Sequence, residues 1–324
     1  MKHLALTNRG DKTRMRTVYE TLCDPAHMPK PVIIPGASRF MRSLLAPALL
    51  LVIVFTLVMP DRTEAQLPRE RVETDEPVDN VFWAMTNVGI STVRNLSEGN
   101  LNSSVLHTFG LVDRGIAHLY GLDDGANTRI RLDYAISDRF SAGVGRMTFN
   151  KVVDIGGKYN ILRQTTTGSI PVELAVKASM GINTMPNTGY RFSERLSYFT
   201  SVMIARKFNS FSLQLTPMIA HFNRTVGDNP DQLFGLGIVT NYELTDRLAL
   251  SAEYLPVFGD RNANTHDAMA LALNIDTGGH IFQIFFTSSQ WHNEEFIMAN
   301  NRDRFWKGDF RFGFNIHRVF GIGR

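Results

Sequence analysis

The segment 308–320 alternates between apolar and polar residues with a period of two, as a β-strand does. One face carries Phe310, Phe312, Phe314 and Ile316, and the other carries Asp309, Arg311, Gly313 and Asn315. A water-soluble sheet rarely has bare aromatic residues on one face and charges on the face that would be its core. Apolar-out, polar-in strands closed into a cylinder are the one way a sheet crosses a bilayer with every backbone group paired. The pattern therefore predicts a transmembrane β-barrel.

The same period recurs along most of the chain. Apolar positions at residues 130, 132, 134 and 136 alternate with charged ones at 129, 131 and 133, and residues 172–177 repeat the pattern. We count about twelve strands, an even number as expected for a bacterial single-chain barrel: 101–109, 128–136, 140–147, 154–162, 172–181, 196–206, 211–222, 233–244, 248–257, 268–276, 280–288 and 307–319. The expected fold class is all-β, an antiparallel up-and-down barrel.

The connections between these strands alternate in length. Short turns at 137–138, 207–210, 245–246 and 277–279 are separated by longer polar stretches at 183–194, 224–231, 259–267 and 290–305. Outer-membrane barrels have short periplasmic turns and longer external loops, so both chain ends fall on the periplasmic side. A soluble β-sandwich or lipocalin-like barrel remains the structural alternative, because a period of two does not tell which face points inward.

The front of the chain resembles an export signal. An apolar run at 44–59 follows Arg39 and Arg42 and precedes Thr63-Glu64-Ala65, which fits a signal peptide over 41–65 and cleavage before Gln66. An uncleaved inner-membrane anchor is the alternative, but the run is shorter than the about 20 residues of a spanning helix. Residues 1–40 are then a non-native or disordered extension before a start at Met41. We expect 66–100 to form a periplasmic arm or partial lumen plug, and 101–324 the barrel.

Charge gives no sign of a nucleic-acid partner. The chain has 34 Lys+Arg and 31 Asp+Glu, and residues 1–65 hold 9 of the basic and 5 of the acidic residues. The remainder has a net charge of about −1 and no basic stripe, so it lacks the electrostatic footprint of a DNA- or RNA-binding protein. The only cysteine, Cys23, precedes the expected cleavage site, which suits an oxidising envelope compartment.

Several phrases in the sequence carry a resemblance: Gly121-Leu-Asp-Asp-Gly-Ala-Asn-Thr-Arg-Ile130, Gly143-Val-Gly-Arg146, Ile204-Ala-Arg-Lys-Phe208, Asp276-Thr-Gly-Gly-His-Ile-Phe-Gln283 and Lys307-Gly-Asp-Phe-Arg-Phe-Gly-Phe-Asn-Ile316. From about residue 81 to the end, the chain resembles a family of Gram-negative outer-membrane β-barrel proteins classed as a domain of unknown function. The resemblance implies an outer-membrane barrel, in contact with lipid and with the barrel assembly machinery, and transfers no catalytic or binding residues. One departure is His107-Thr-Phe-Gly110, where His-Arg-Phe-Gly is expected.

The period assigns residues to two faces. The predicted lumen collects charges of both signs: Arg129, Arg131, Asp133, Asp154, Lys158, Glu173, Lys177, Glu243, Glu253, Asp309 and Arg311. The predicted lipid face includes Ile130, Leu132, Tyr134, Phe282, Phe310, Phe312 and Phe314. The lumen charges form either a ladder of salt bridges that closes the interior or a constriction that sets selectivity through its field.

No motif predicts an enzyme, a metal site or a cofactor. The histidines lack metal-ligand spacing, and the segment 291–295 is more simply an external polar loop than a ligand set. Ser288, Ser289 and His292 resemble the rim residues of an outer-membrane hydrolase but have no nucleophile-elbow motif. The first functional hypothesis is a porin-like passive channel for small polar solutes. The second is a closed barrel that serves as a scaffold or receptor for a periplasmic or electron-carrying protein docked through residues 66–96.

Overall fold

The structure is a computed structural model that describes residues 74–186, 188–225 and 227–322. The expected extension, signal peptide and cleavage before Gln66 lie outside these residues. Twelve long antiparallel strands and one short extra strand form a single sheet. They are β1 (Asn100–Leu111), β2 (Asn127–Ser137), β3 (Phe140–Met147), β4 (Val152–Leu162), β5 (Glu173–Asn183), β6 (Leu196–Phe208), β7 (Phe211–Phe222), β8 (Gln232–Thr245), β9 (Leu248–Leu255), β10 (Val257–Phe258), β11 (Ala268–Asp276), β12 (His280–Thr287) and β13 (Arg311–Gly321).

The sheet closes on itself. Each long strand pairs with the next along the chain, β9 pairs with β11, and β13 pairs with β1 so that Val105 lies opposite Ile316. The two-residue strand β10 continues β9 past Pro256 and pairs with β8. The predicted twelve-stranded up-and-down barrel is confirmed, and closure removes the exposed strand edges that an open sheet would present.

Most short turns lie at one end of the barrel, which we call the short-turn end, and most longer loops lie at the other, the long-loop end. Two connections are exceptions: the long connection 163–172 lies at the short-turn end, and the short connection 148–151 lies at the long-loop end. The strand boundaries differ little from the prediction except in β13, which begins at Arg311 rather than at residue 307. A 3-10 turn at Phe305–Lys307 ends at Gly308 with φ of 93°, a left-handed conformation that favours glycine, so the chain enters the sheet only afterwards. Asp309 therefore lies before the strand and not on its inner face.

The outer face of the barrel is apolar. Ile130 is 55% exposed, and Leu132 and Tyr134 on the same strand are also exposed. Exposed aromatic residues gather near the short turns: Tyr134, Tyr159, Phe208, Phe211 and Tyr242. Aromatic side chains concentrate at membrane–water boundaries because their rings are amphipathic, so this group is a belt at the short-turn end. A soluble barrel would not leave so continuous an apolar surface in water.

One α-helix lies among the described residues. Helix α1 (Glu294–Asn300) belongs to the long connection between β12 and β13, and its residues up to Ala299 are buried. No helix in the described part of the chain is long and apolar enough to cross a membrane. The segment that precedes β1 has little regular structure but is also buried, from Val81 to Val93.

Candidate functional site

Residues 81–96 fold back on themselves inside the barrel and form a hairpin, which we call the lumen hairpin. Its two legs are joined by a bridge between Thr86 and Ser91 and by a hydrogen bond from the Thr92 amide to the Met85 carbonyl oxygen of 2.9 Å. The hairpin enters from the short-turn end, since the chain before it pairs with the β4–β5 connection at Thr165 and the chain after it continues into β1.

One wall carboxylate holds the tip of the hairpin. Glu253, on β9, accepts hydrogen bonds from the backbone amides of Val88 (2.7 Å), Gly89 (2.9 Å) and Ile90 (3.1 Å). Successive amides that converge on one acceptor form a strong anion site, because each contributes a fixed partial positive charge. The carboxylate is thus stabilised by backbone dipoles and not by a cation on the wall.

Wall donors hold the leg that returns to β1. Lys158 donates from Nζ to the carbonyl oxygen of Thr92 at 2.8 Å and to that of Arg94. Asn160 donates to the Val93 carbonyl oxygen at 2.9 Å. The ammonium group, although buried, is therefore satisfied by hairpin carbonyl groups.

Two wall amides complete the attachment. Gln214 accepts from the Val93 amide at 2.8 Å and donates to the Ser91 carbonyl oxygen at 2.9 Å. Asn315, on β13, donates to the carbonyl oxygens of Asn87 and Val88, each at 3.1 Å. The hairpin backbone makes few hydrogen bonds within itself and obtains most of its buried hydrogen bonds from the wall.

Helix α1 fills the lumen from the long-loop end and meets the hairpin. Glu294 accepts a hydrogen bond from the Ser91 amide at 3.0 Å, and Lys177 lies 2.9 Å from Glu294 and 2.8 Å from the Ser91 hydroxyl. Burial raises the pKa of Glu294, but the attraction of Lys177 and its hydrogen bond outweigh burial and lower the pKa to about 2. The two inserted segments therefore touch around one ion pair.

The pKa of a second carboxyl group on the helix is shifted in the opposite direction. Burial, reinforced by the charges of Asp154 and Glu294, raises the pKa of Glu295 to about 7. Its nearest hydrogen-bond donor is Asn293, at 3.5 Å. The long loop thus carries one carboxyl group whose pKa is lowered by a cation and one whose pKa is raised by burial and neighbouring carboxylates.

Wall charges also pair with one another in a cluster on β2 and β4, which we call the charge cluster: Arg129, Arg131, Asp133 and Asp154. Asp154 accepts from Arg129 Nη2 at 2.7 Å and from Arg131 Nη1, and Arg131 donates from Nε to Asp133 at 2.8 Å. All four residues are buried. Buried charges persist only when paired and hydrogen-bonded, and this arrangement meets that condition.

Glycines on β3 make room for the charge cluster. A Cβ atom built on Gly143 would lie 2.1 Å from Asp133 Oδ1, and one on Gly145 would lie 2.8 Å from Asp154 Oδ1. A side chain at either position would displace a carboxylate that an arginine holds. The motif Gly143-Val-Gly145 therefore reflects close packing against buried charges.

We expect Gly143→Ala to destabilise the barrel by about 1–3 kcal/mol, because the added methyl group overpacks the site of Asp133. The matched control is Gly125→Ala in the β1–β2 loop, where a Cβ atom would meet nothing within 4 Å. Urea unfolding followed by heat-modifiable gel migration measures both variants. Equal stability of the two would show that Gly143 does not make room for the cluster.

The lumen also contains an apolar core, which the sequence analysis did not predict. Hairpin residues Val81, Phe82 and Ile90 pack with Phe296 and Ile297 of helix α1 and with inward-facing wall residues, among them Met147, Phe199, Met203, Phe222, Leu233 and Leu255. Side chains that face inward from strands are therefore not uniformly polar. This core would be wetted in an open barrel, so it favours a filled one.

The structure places the predicted lumen residues as follows. Most are buried inside the barrel: Arg129, Arg131, Asp133, Asp154, Lys158, Glu173, Lys177, Glu253 and Arg311. Glu243 is half-buried at the short-turn end, where it accepts from Lys207 at 2.7 Å and from the Trp83 indole at 3.0 Å. Asp309 is half-buried in the long loop and accepts from the Arg304 amide. Arg311 pairs with Asp303 of the same loop at 2.6 Å.

The predicted lipid-face residues lie on the outer surface, but not all are equally exposed. Phe310, Phe312 and Phe314 are half-buried because they stack with neighbours: Phe312 with Phe109 and Phe286, and Phe314 with His107 at 5.0 Å between ring centres. Phe282 is half-buried beside His280. This outer aromatic cluster runs across β1, β13 and β12.

The interpretation of residues 291–295 as an external polar loop is wrong. His292, Asn293, Glu294 and Glu295 are buried inside the barrel. His292 bonds the Asn127 carbonyl oxygen at 3.1 Å, whereas the hydroxyl groups of Ser288 and Ser289 contact backbone atoms of Met269 and Trp291. These residues thus form no Ser–His hydrogen bond, and all three are buried at the long-loop end. The described part of the chain also holds no group of three or more metal-ligating side chains.

Comparison with known proteins identifies the family to which this chain belongs. The family model described as "Membrane bound beta barrel domain (DUF5777)" matches residues 82–320. The chain belongs to this family. The DUF5777 match includes residues 82–96 of the lumen hairpin. The resemblance proposed from the sequence is confirmed, and the protein is a membrane-bound β-barrel.

Solved structures with a similar fold are outer-membrane barrels. The NanC porin is 10% identical with a TM-score of 0.45, covering 68% of this chain and 98% of that one. An outer membrane channel from Pseudomonas putida F1 is 11% identical with a TM-score of 0.41, covering 70% and 97%. Outer membrane phospholipase A from Escherichia coli is 10% identical with a TM-score of 0.39, covering 69% and 91%. No curated protein matches. At these values the similarities carry no argument about function.

Proposed function

We propose that this DUF5777 barrel is a channel for small polar solutes that is closed at rest by the lumen hairpin and opens when the hairpin leaves. The observation that carries the proposal is that Glu253 and Lys158 each bind the hairpin backbone. Both are buried wall charges whose hydrogen bonds go to the hairpin backbone rather than to an opposite charge on the wall. With the hairpin removed, they would face water as part of a lumen with charges of both signs.

An always-open passive pore fits this structure less well, because the hairpin and helix α1 enter from opposite ends and meet at Ser91 and Glu294. The basic and acidic wall residues are engaged with the inserted segments or with each other. Selectivity by opposed charges would therefore arise only in the open state. The proposal involves no catalytic step, no cofactor and no nucleic acid.

The test compares ion conductance in planar bilayers. In wild-type protein we expect rare, brief openings; replacing residues 81–96 by a Gly/Ser segment of equal length should give frequent, long-lived ones. Glu253→Gln should raise the open probability, because an amide cannot accept three backbone hydrogen bonds as a carboxylate does. The control Asp246→Asn removes a carboxylate from the exposed β8–β9 turn at the short-turn end, without touching the hairpin.

Heat-modifiable gel migration verifies that each variant is a folded barrel before recording. If the Gly/Ser variant is folded and silent, the channel proposal fails. The alternative, a closed scaffold or receptor for a periplasmic or electron-carrying protein, then remains. Within the described part of the segment before the hairpin, the exposed residues 74–77, 79 and 80 would be available to it, since residues 81–93 are buried apart from the half-buried Trp83. A stable co-purifying partner that is lost when these exposed residues are changed would support it.

A further inference from the structure

Two buried polar side chains on adjacent strands each have one atom without a hydrogen-bond partner at the short-turn end. Asn102 on β1 is 2% exposed and His317 on β13 is 3% exposed, and both face inward. Asn102 Nδ2 and His317 Nδ1 bond nothing in the part of the chain that the structure describes. An unsatisfied buried polar atom costs about 1–3 kcal/mol, so these two atoms call for a partner that the protein does not supply.

The hydrogen-bond network assigns a role to each atom. The Gln283 side-chain oxygen accepts from Asn315 Nδ2 at 2.9 Å and lies 3.1 Å from His317 Nε2. Because an amide oxygen only accepts, His317 Nε2 carries the hydrogen, and Nδ1 of the neutral ring is an acceptor. Asn102 Nδ2 is a donor. A hydroxyl group, which both donates and accepts, matches this pair.

Asn102 and His317 are among the residues that line a cavity of about 210 Å³ between the wall and the lumen hairpin. The hairpin contributes Trp83 and Arg94 to the lining. The Trp83 indole is held by Glu243 at 3.0 Å, so its ring is fixed. Arg94 uses Nη1 to bond the Phe82 carbonyl oxygen and Asn80, which leaves its other donors available.

An aromatic ring beside planar hydrogen-bonding side chains suits a molecule with both C–H faces and hydroxyl groups. Ordinary sites for drug-sized ligands measure about 300–1,000 Å³, so this cavity limits the ligand to a single small ring. Asp276 and Arg94 place one charge of each sign at the cavity, which favours a neutral ligand over an ion.

We propose that this cavity binds a neutral polyhydroxylated molecule of monosaccharide size. Trp83 and Arg94 of the hairpin and Asn102 and His317 of the wall contact the ligand together. The proposal goes beyond conduction, because binding here requires no open path, and it assigns a ligand class to a site that the charged lumen residues do not include.

The experiment uses the full-length barrel in detergent, with glucose, galactose and myo-inositol as probes and intrinsic tryptophan emission as the readout. We expect a saturable change in emission with at least one probe. Trp83→Phe should abolish the change, whereas Trp306→Phe, in the exposed part of the long loop, should preserve it. These two variants show that the signal arises at the cavity.

The role of the unpaired atoms is tested with His317→Phe, which removes the acceptor while Asn315 still bonds Gln283. We expect affinity to fall about tenfold, the effect of one lost hydrogen bond. The matched control is His107→Phe on the outer face, where His107 stacks on Phe314, and its affinity should be unchanged. If His317→Phe does not assemble, Asn102→Ser, which shortens the donor side chain, provides the same comparison.

Three results would overturn the proposal. The first is no saturable response to any of the three probes in protein that shows heat-modifiable migration. The second is a response to succinate equal to that of the sugars, which would assign the cavity to anions through Arg94. The third is unchanged affinity in both His317→Phe and Asn102→Ser, which would leave ordered water as the partner of these atoms. Because binding is measured without a bilayer, a silent channel would not affect the outcome.

Discussion

Replacing Asp154 with Asn is expected to destabilise the barrel by about 3–5 kcal/mol, the usual cost of leaving a buried charge without its partner. Asp154 accepts two hydrogen bonds from Arg129, at 2.7 and 3.2 Å, and one from Arg131. Arg131 would retain the Asp133 carboxylate, whereas Arg129 would lose its carboxylate partner and keep the neutral amide oxygen of the new residue and a 3.4 Å contact with the His292 carbonyl oxygen. Both guanidinium groups are buried, so water would not replace the lost carboxylate.

The matched control also removes one charge from an arginine–carboxylate contact, but in an exposed loop. This control is Glu194→Gln. Glu194 lies 3.2 Å from Arg224, whose side chain is 49% exposed, and such exposed pairs contribute about 0–1 kcal/mol. Urea unfolding followed by gel migration measures both. A loss in Asp154→Asn no greater than in Glu194→Gln would show that the charge cluster does not stabilise the barrel.

The period of two predicted the wall correctly for a physical reason. Each strand alternates its side chains between lipid and lumen, so the inward positions of Arg129, Arg131 and Asp133 follow from sequence once one face is known. The number of strands followed from turns such as Ser137-Asp138. The contents of the lumen did not follow, because Glu253 is satisfied by amides more than 160 residues away in a segment with no period.

The burial of the long loop between β12 and β13 was also not predicted from the sequence. Residues 291–295 are polar and lie between two strands, which is typical of an external loop, yet they are buried. A signal was present in the apolar residues Phe296, Ile297 and Met298, which an exposed loop would seldom carry in succession. The unpaired atoms of Asn102 and His317 could not be found from sequence, since they are defined by the partners they lack.

The second mutation with a large expected effect on stability lies in the outer aromatic cluster. Phe314 lies near the middle of β13, in register with His107 on β1 and Ile284 on β12, and its ring stacks on His107. We expect Phe314→Arg to cost about 2–4 kcal/mol, the cost of a cation on the lipid face near the midplane, and to block assembly. The measurement is the fraction of protein with heat-modifiable migration.

The control places the same substitution on the same face of the same strand, at the membrane boundary. Phe320 lies opposite Leu101 at the short-turn end, and the neighbouring outward residue Arg318 already places its guanidinium over the Phe320 ring at 4.8 Å. Near the interface an arginine reaches the headgroups, so Phe320→Arg should cost about 0–1 kcal/mol. The two sites differ in depth in the bilayer and in packing, because Phe314 also stacks on His107 whereas Phe320 is exposed. Equal costs would therefore contradict the position of the β13 midpoint in the hydrocarbon, and a wild-type protein that stays dispersed without detergent would contradict the lipid face itself.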